Sequence, residues 1–406
     1  MRFRSVKKIA VTTMLLCAAG VNADDTQAKL QTSIDKGLAF LKTQQKPDGG
    51  WQRSDKEPPA ITSIVLRTFV QDANHSSKTD FVARGFEKLL SFQATDGGIY
   101  KDLLANYNTA IALSTLVRAN DPAFKPQIDA AVAYLKRLQW TGDTKPEYLG
   151  KTGEKVPESN TGKQVVTGTD DPFYGGWGYG GRSRGGGRPD LSNTQLALEA
   201  LHDAGVSKDD PVMQNAIKFV TRCQNFSEAN DQSWAGNDGG FAYGPSDDRQ
   251  GESFAGSYTD SAGKRRLHSM GSMTYAGLKS MIYAGLTKDD PRVRAAWQWV
   301  NKNFTLEGHP GMTELSDEKA QWGLFYYYMT VGRALAAYGE PTLTSPDGKK
   351  TDWRTALADK AADLQKPDGS WVGVNKYMED NPVLVTAYTV LALQEAQQDL
   401  AVRSAK

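Results

Sequence analysis

The sequence predicts an all-α fold, six helical hairpins closed into an α/α toroid. Three observations carry this. A glycine turn recurs along the 406 residues. An amphipathic segment precedes each turn, with an apolar stripe at i, i+4, i+7. A segment apolar on most sides follows it, as expected of a buried helix.

The turns are Asp48-Gly49-Gly50-Trp51, Asp96-Gly97-Gly98-Ile99, Asp238-Gly239-Gly240-Phe241 and Asp368-Gly369-Ser370-Trp371, with Gly175-Gly176-Trp177 as a fifth version. The preceding stripes run Ile34, Leu38, Leu41; Val82, Phe86, Leu89; Ile128, Val132, Leu135; Val212, Ala216, Phe219; Val293, Trp297, Val300; and Trp353, Leu357, Ala361, Leu364. The apolar segments are 61–70, 108–117, 194–201, 274–284, 322–338 and 383–393. Each pair reads as an outer helix, a turn and an inner helix. An open solenoid needs polar capping repeats at its ends. Here the terminal hairpins are as apolar as the rest, which favours a closed ring.

The first 23 residues read as a signal peptide. Arg2, Arg4, Lys7 and Lys8 make a basic start, residues 9–19 an apolar run, and Ala23 a small residue at the cut. That run is short of the ~20 residues a bilayer span needs, and no later apolar run is long enough for one. The mature chain, 24–406, is then one exported toroid domain, periplasmic or secreted. Two loop insertions, about 141–191 and 226–271, interrupt it. Of the two cysteines, Cys17 leaves with the signal and Cys223 reads as a core thiol without a disulfide partner.

Lys+Arg and Asp+Glu are 48 and 47, for a net charge of +1. No basic excess argues for nucleic acid. His75, His202, His268 and His309 lie at no zinc-ligand spacing, so no metal or other cofactor is expected. Asp209-Asp210-Pro211 and Asp289-Asp290-Pro291 read as helix caps rather than magnesium sites. The sequence leaves the oligomeric state open.

The repeat has a familiar form. Lys36-Gly37, Phe40-Leu41, Gln45, Gly49 and Trp51 resemble the Gln-Trp repeat of squalene–hopene cyclases. Arg84-Gly85, Gln93, Gly97 and Ile99 echo it, as do Gln365, Gly369 and Trp371. The chain thus resembles the prenyltransferase and squalene oxidase repeat superfamily over nearly all its mature length. The resemblance implies a toroid with a central cavity, and motif residues that tie repeats together. It also implies an Asp-x-Asp-Asp acid at an inner-helix start. The matching stretch is Asp190-Leu191-Ser192-Asn193-Thr194, where a serine stands in the place of the acid. Either the usual cyclase reaction is absent or the acid lies elsewhere.

Both long insertions fall on outer-to-inner connections, which a hairpin ring places at one end. Long loops without regular structure are commonly functional, so the mouth of the cavity is expected there. The candidate ligand-binding residues are Trp177, Tyr179, Trp234 and Tyr243 on the rim, with Asp190, Asn193, Gln195, His268, Tyr275 and Tyr327 at or near inner-helix starts. Asp190 and Asn193 also suit simple helix capping. Glu314, Tyr326 and Tyr328 are further polar groups that could face the cavity. Arg182, Arg184, Arg188 and Lys264-Arg265-Arg266 could meet an anion or lie solvated. The expected partner is a small apolar, isoprenoid-like ligand. A secreted polysaccharide-active enzyme binding a glycan and a repeat-based protein-binding module are the alternatives.

Overall fold

The computed structural model describes residues 23–54, 56–141, 168–180, 188–246 and 254–404. Residues 1–22 of the expected signal peptide, Arg182 and Arg184, and parts of both insertions lie outside these. Among the described residues there are twelve α-helices and two short two-stranded hairpins. No described helix is long and apolar enough to cross a membrane.

The inner helices are α2 (Ala60–Val70), α4 (Ala105–Arg118), α6 (Leu191–Asp203), α8 (Gly271–Tyr283), α10 (Leu324–Tyr338) and α12 (Pro382–Ser404). Each packs on the next, and α12 packs on α2, so the inner ring closes. The outer helices are α1 (Ala23–Thr43), α3 (Asp80–Leu90), α5 (Lys125–Arg137), α7 (Pro211–Arg222), α9 (Pro291–Asn303) and α11 (Trp353–Leu364). They bury most of the predicted stripes, Ile34, Leu38 and Leu41 on α1, for example, and Val82, Phe86 and Leu89 on α3, whereas Ile128, Val132 and Trp297 are half-buried and Leu364 is exposed. As expected, Asp210 and Asp290 cap α7 and α9, accepting from Val212 N and Arg292 N.

The repeated turn is a joint between neighbouring outer helices. The Gln45 amide donates to the carbonyls of Gly49 (3.0 Å) and Phe81 on α3 (2.6 Å). Gln139 donates to Gly175 and to Val212 on α7, and Gln224 to Gly239 and Arg292 on α9. Gln365 donates to Gly369 and to Ser33 on α1 (3.0 Å each), which closes the outer ring. The glycine must be glycine. Gly49 has φ +87°, and a Cβ there would lie 2.4 Å from the Arg84 carbonyl oxygen.

The aromatic residue after the turn is fully buried in the same joint. The indole N–H of Trp51 donates to Leu41 O, that of Trp177 to Leu135 O and that of Trp371 to Ala361 O, at 2.7, 2.8 and 2.8 Å. The backbone N–H of Trp51, Ile99, Trp177, Phe241 and Trp371 donates to Thr62, Thr109, Thr194, Thr274 and Thr386 of the following inner helix. Trp177 is therefore a strut, and its expected place on the cavity rim is corrected.

The strands form only short hairpins, each burying one leucine, Leu267 and Leu343. Ser257–Thr259 pairs with Arg265–Leu267 in the second insertion, and Thr342–Thr344 with Lys350–Asp352 between α10 and α11.

Candidate functional site

A helix leaves its first N–H groups without intrahelical partners. In this ring a neighbouring repeat supplies them for five of the six inner helices, and that builds the mouth. Ala60 N at the start of α2 donates to the Asn108 side chain of α4. Asn106 N at the start of α4 donates to Tyr179 O, and Leu191 N at the start of α6 to Tyr243 O. Gly271 N at the start of α8 donates to Pro310 O, and Ser272 N to the His309 ring. Phe325 N and Tyr326 N at the start of α10 donate to the Glu379 carboxyl, each at 2.9 Å. Satisfying these donors holds the loops over the ring centre and brings Tyr179, Tyr243, His309 and the residues beside Glu379 to one place.

They border a cavity of about 290 Å³. Every inner helix contributes to its wall near its N-terminus: Ile61 and Ile64 from α2, Tyr107 and Ile111 from α4, Ser192 from α6, Met273 from α8, Tyr326 from α10, Leu384 and Tyr388 from α12. Phe254, Trp322, Tyr377 and Met378 form the loop side. Six tyrosines line it, and none of the described lining residues carries a fixed charge. Three of the four non-glycine residues with left-handed φ in the described chain, Leu104, Tyr377 and Met378, are in this wall. Such backbone strain collects at functional sites.

The hydroxyls are linked. Tyr179 and Tyr243 are 3.0 Å apart, Tyr107 and Tyr388 3.3 Å, and Tyr326 lies 3.2 Å from both Ser192 Oγ and the Gln195 amide, which donates to it. Behind Tyr243 stands Asp190, the N-cap of α6. It accepts from Asn193 N and Nδ2, both at 2.8 Å, with the Tyr243 hydroxyl close by. Burial outweighs these bonds and pushes its carboxyl up to about 7. Burial likewise pushes Glu379 up to about 7, and its Oε2 has no hydrogen-bond partner. His309 is buried and held down to about 4. Its Nε2 accepts from Ser272 N and its Nδ1 faces Trp322 O, which fixes the neutral tautomer with the proton on Nδ1.

The expected site residues divide into three sets. Tyr179 and Tyr243 line the cavity. Asp190, Asn193 and Gln195 stand directly behind the wall and position it. The remaining five are elsewhere, and their expected place is corrected. Trp177 is in a repeat joint. Trp234 is in a small cluster with Ala235, Ala242 and Leu267, its indole donating to Pro245 O. His268 packs on Tyr258 outside the mouth. Tyr275 and Tyr327 are buried edge to face against each other, outside the lining. Glu314 is exposed on a loop. Arg188 lies over the Phe173 ring, and Arg266 binds Asp260 and two backbone carbonyls, so both serve the loops that hold them. Among the described residues no cluster of His, Cys, Asp or Glu suits a metal ion.

Sequence reasoning passed over Tyr107, Tyr388, Trp322 and Glu379, and did not count His309 among the site residues. One signal was present. Tyr107 and Tyr326 each occupy the third position of an inner helix, as Asn193 does.

Chemically, the wall offers apolar surface, π faces and neutral hydroxyls, with two carboxyls close behind it. That suits a greasy ligand with few polar groups.

No protein-family model matches the sequence, and no curated protein matches it. Solved structures do resemble it. The type II terpene cyclase MstE from Scytonema, without ligand, is 12% identical over 92% of this chain and 99% of its own, with a TM-score of 0.51. A variant of that cyclase in complex with merosterolic acid A (product) gives 13%, 92%, 99% and 0.50. Cellobiose 2-epimerase from Spirochaeta thermophila DSM 6192 is 11% identical over 94% of this chain and 98% of its own, with a TM-score of 0.56. Identities this low speak to architecture alone. On that architecture, and on the closed double ring of helices, the chain is an α/α toroid.

Proposed function

We propose that this toroid binds a small apolar, isoprenoid-like molecule in its central cavity. The observation that carries this is the wall: aliphatic, methionine and aromatic side chains from five inner helices and Ser192 from the sixth, with no charged group among the described lining residues. The volume, about 290 Å³, is at the lower end of ordinary small-molecule sites, ~300–1,000 Å³. A toroid of the same fold, the MstE cyclase, holds merosterolic acid A as product.

Ordinary proton-initiated cyclisation is not part of the reading. Protonating an olefin takes a carboxylic acid directed at the substrate. Ser192 is the group that reaches the cavity from that stretch, and Asp190 has its carboxyl turned onto Asn193 and Tyr243. We further take the protein to be exported, on the basic and apolar pattern of its first 23 residues. N-terminal sequencing of the mature protein checks that.

Native mass spectrometry of the purified protein against a panel of isoprenoids and oligosaccharides tests the binding. Retention of isoprenoids, weakened in Ile64→Asp, is expected. Retention of oligosaccharides alone would overturn the reading in favour of a carbohydrate site. Incubation with squalene is expected to give no polycyclic product; turnover lost in Asp190→Asn but kept in Ser192→Ala would place the acid at Asp190.

A further inference from the structure

The floor of the cavity carries charges that the apolar wall does not explain. Arg67 of α2, Lys279 of α8 and Arg333 of α10 surround Glu199 of α6, which lies about two helical turns in from Ser192. Arg67 Nη1 and Arg333 Nη1 are 2.9 and 3.0 Å from Glu199 Oε1, and Lys279 Nζ pairs with Oε2. All four side chains are more than nine-tenths buried. Asp203, 3.8 Å from Arg67, and Glu395 are the other acids near Arg67. Glu395 is partly buried; Asp203, one turn further from the mouth, keeps part of its side chain exposed but has its Oδ2 buried, a second and more distant carboxylate beside Arg67. The fully buried set is thus three cations around one carboxylate.

One donor in this set is idle. A guanidinium carries five N–H bonds, and Arg333 Nε is buried with no hydrogen-bond partner. A void of about 10 Å³ lies within the same cluster, bordered by Arg67, Ser114, Glu199 and Arg333. A space of that size takes one water-sized group. Ile64, Tyr107 and Ile111 border both this void and the main cavity, so only those side chains stand between the two.

We propose that the cavity takes an amphiphile with a carboxylate at one end, entering head first. Its apolar body lies against the tyrosine and aliphatic wall, and one carboxylate oxygen fills the void and accepts from Arg333. This rests on the apolar-ligand reading and narrows it. Glu199 borders the same void and repels a second carboxylate, but the three cations outweigh it. A charged donor favours a charged acceptor, so an alcohol of the same chain gains less from this floor.

The test uses the purified full-length protein and two probes, farnesoic acid and farnesol, titrated calorimetrically at pH 8, where the acid is ionised. The acid is expected to bind roughly tenfold more tightly, or better. In Arg333→Met, and independently in Ser114→Val, which fills the void without altering charge, the ratio of the two affinities should fall toward one. Helical circular dichroism verifies that each variant is folded. Equal affinities in the wild type, or a preference for the acid that persists in both variants, would overturn the proposal. Farnesol binding without preference for the acid sinks this proposal alone. Binding of neither probe sinks the apolar-ligand reading and this proposal with it.

Discussion

The closing joint of the ring gives a sharp quantitative test. Trp51 joins the first hairpin to the second, and Trp371 joins the last to the first. The two have matching surroundings. Each is 0% exposed, each indole donates to an outer-helix carbonyl, and each backbone N–H donates to a threonine, at 3.0 and 3.1 Å. Each ring lies against a glycine of the next outer helix: a Cβ on Gly85 would be 2.8 Å from Trp51, and one on Gly37 would be 3.1 Å from Trp371. Truncating a buried tryptophan to alanine costs about 3–5 kcal/mol through lost burial and the cavity left behind. Trp51→Ala and Trp371→Ala should therefore cost the same within about 1 kcal/mol, although one joint connects neighbours in sequence and the other the chain's two ends. Domains have only ~5–15 kcal/mol in hand, so urea unfolding followed by circular dichroism resolves the effect. If Trp371→Ala left the midpoint unchanged while Trp51→Ala lowered it, the ring would not be closed in solution. If either variant kept its stability but lost ligand binding, a site would have been taken for a strut.

Three further substitutions probe the buried ionisable groups. Asp190 titrates at about 7 in the fold against 3.8 unfolded, so the folded state holds its proton longer and wild-type stability falls as pH rises between these values. Relative to wild type, Asp190→Asn should then gain stability across that window, by at most about 4 kcal/mol, and stay level above it; a pH-independent difference in thermal melts would refute this. His309 shows the opposite sign, since its fold value of about 4 lies below the unfolded 6.5. Its contribution is complete above 6.5 and lost as pH falls toward 4, so His309→Gln should narrow its gap to wild type on acidification. Glu199→Gln leaves Arg67, Lys279 and Arg333 without their buried counter-charge and should cost about 3–5 kcal/mol in urea unfolding at neutral pH; an unchanged midpoint would show that the cations find other partners.

The architecture was legible because it rests on local pattern. Each outer stripe and each glycine turn is written within a few residues, and a ring of hairpins follows from repeating them. The site was only partly legible, since it depends on which repeat caps which helix. Glu379 serves α10 from more than fifty residues away, and nothing near it in sequence announces that. Gln139 is 36 residues from the Gly175 carbonyl it binds, so the first insertion hid a joint that is compact elsewhere. Trp177 was misplaced although a signal existed: it follows Gly175 at the spacing of Trp51 from Gly49 and Trp371 from Gly369. Membership of a long loop outweighed that spacing, wrongly. The charged floor had a signal too. Arg67, Glu199, Lys279 and Arg333 are charges inside otherwise apolar segments, one in each of four.

A ring of six helices leaves a hole that side chains must fill or line, and this chain treats its depth in two ways. Near the mouth the wall residues are large but neutral, and their hydroxyls satisfy one another in pairs, so they can remain beside an empty or an apolar space at little cost. Two turns deeper the ion cluster ties α2, α6, α8 and α10 across the centre. Apolar residues filling that level would stabilise the ring at least as well, since buried ion pairs barely repay their desolvation. A cross-tie of charges is thus a costly way to plug a hole. Its retention fits the carboxylate site proposed above, with an unpaired arginine N–H in the layer below the greasy cavity. On that argument Glu199 is a positioning residue. It holds three cations at the centre of the ring, in an orientation that only part of their hydrogen-bonding capacity explains.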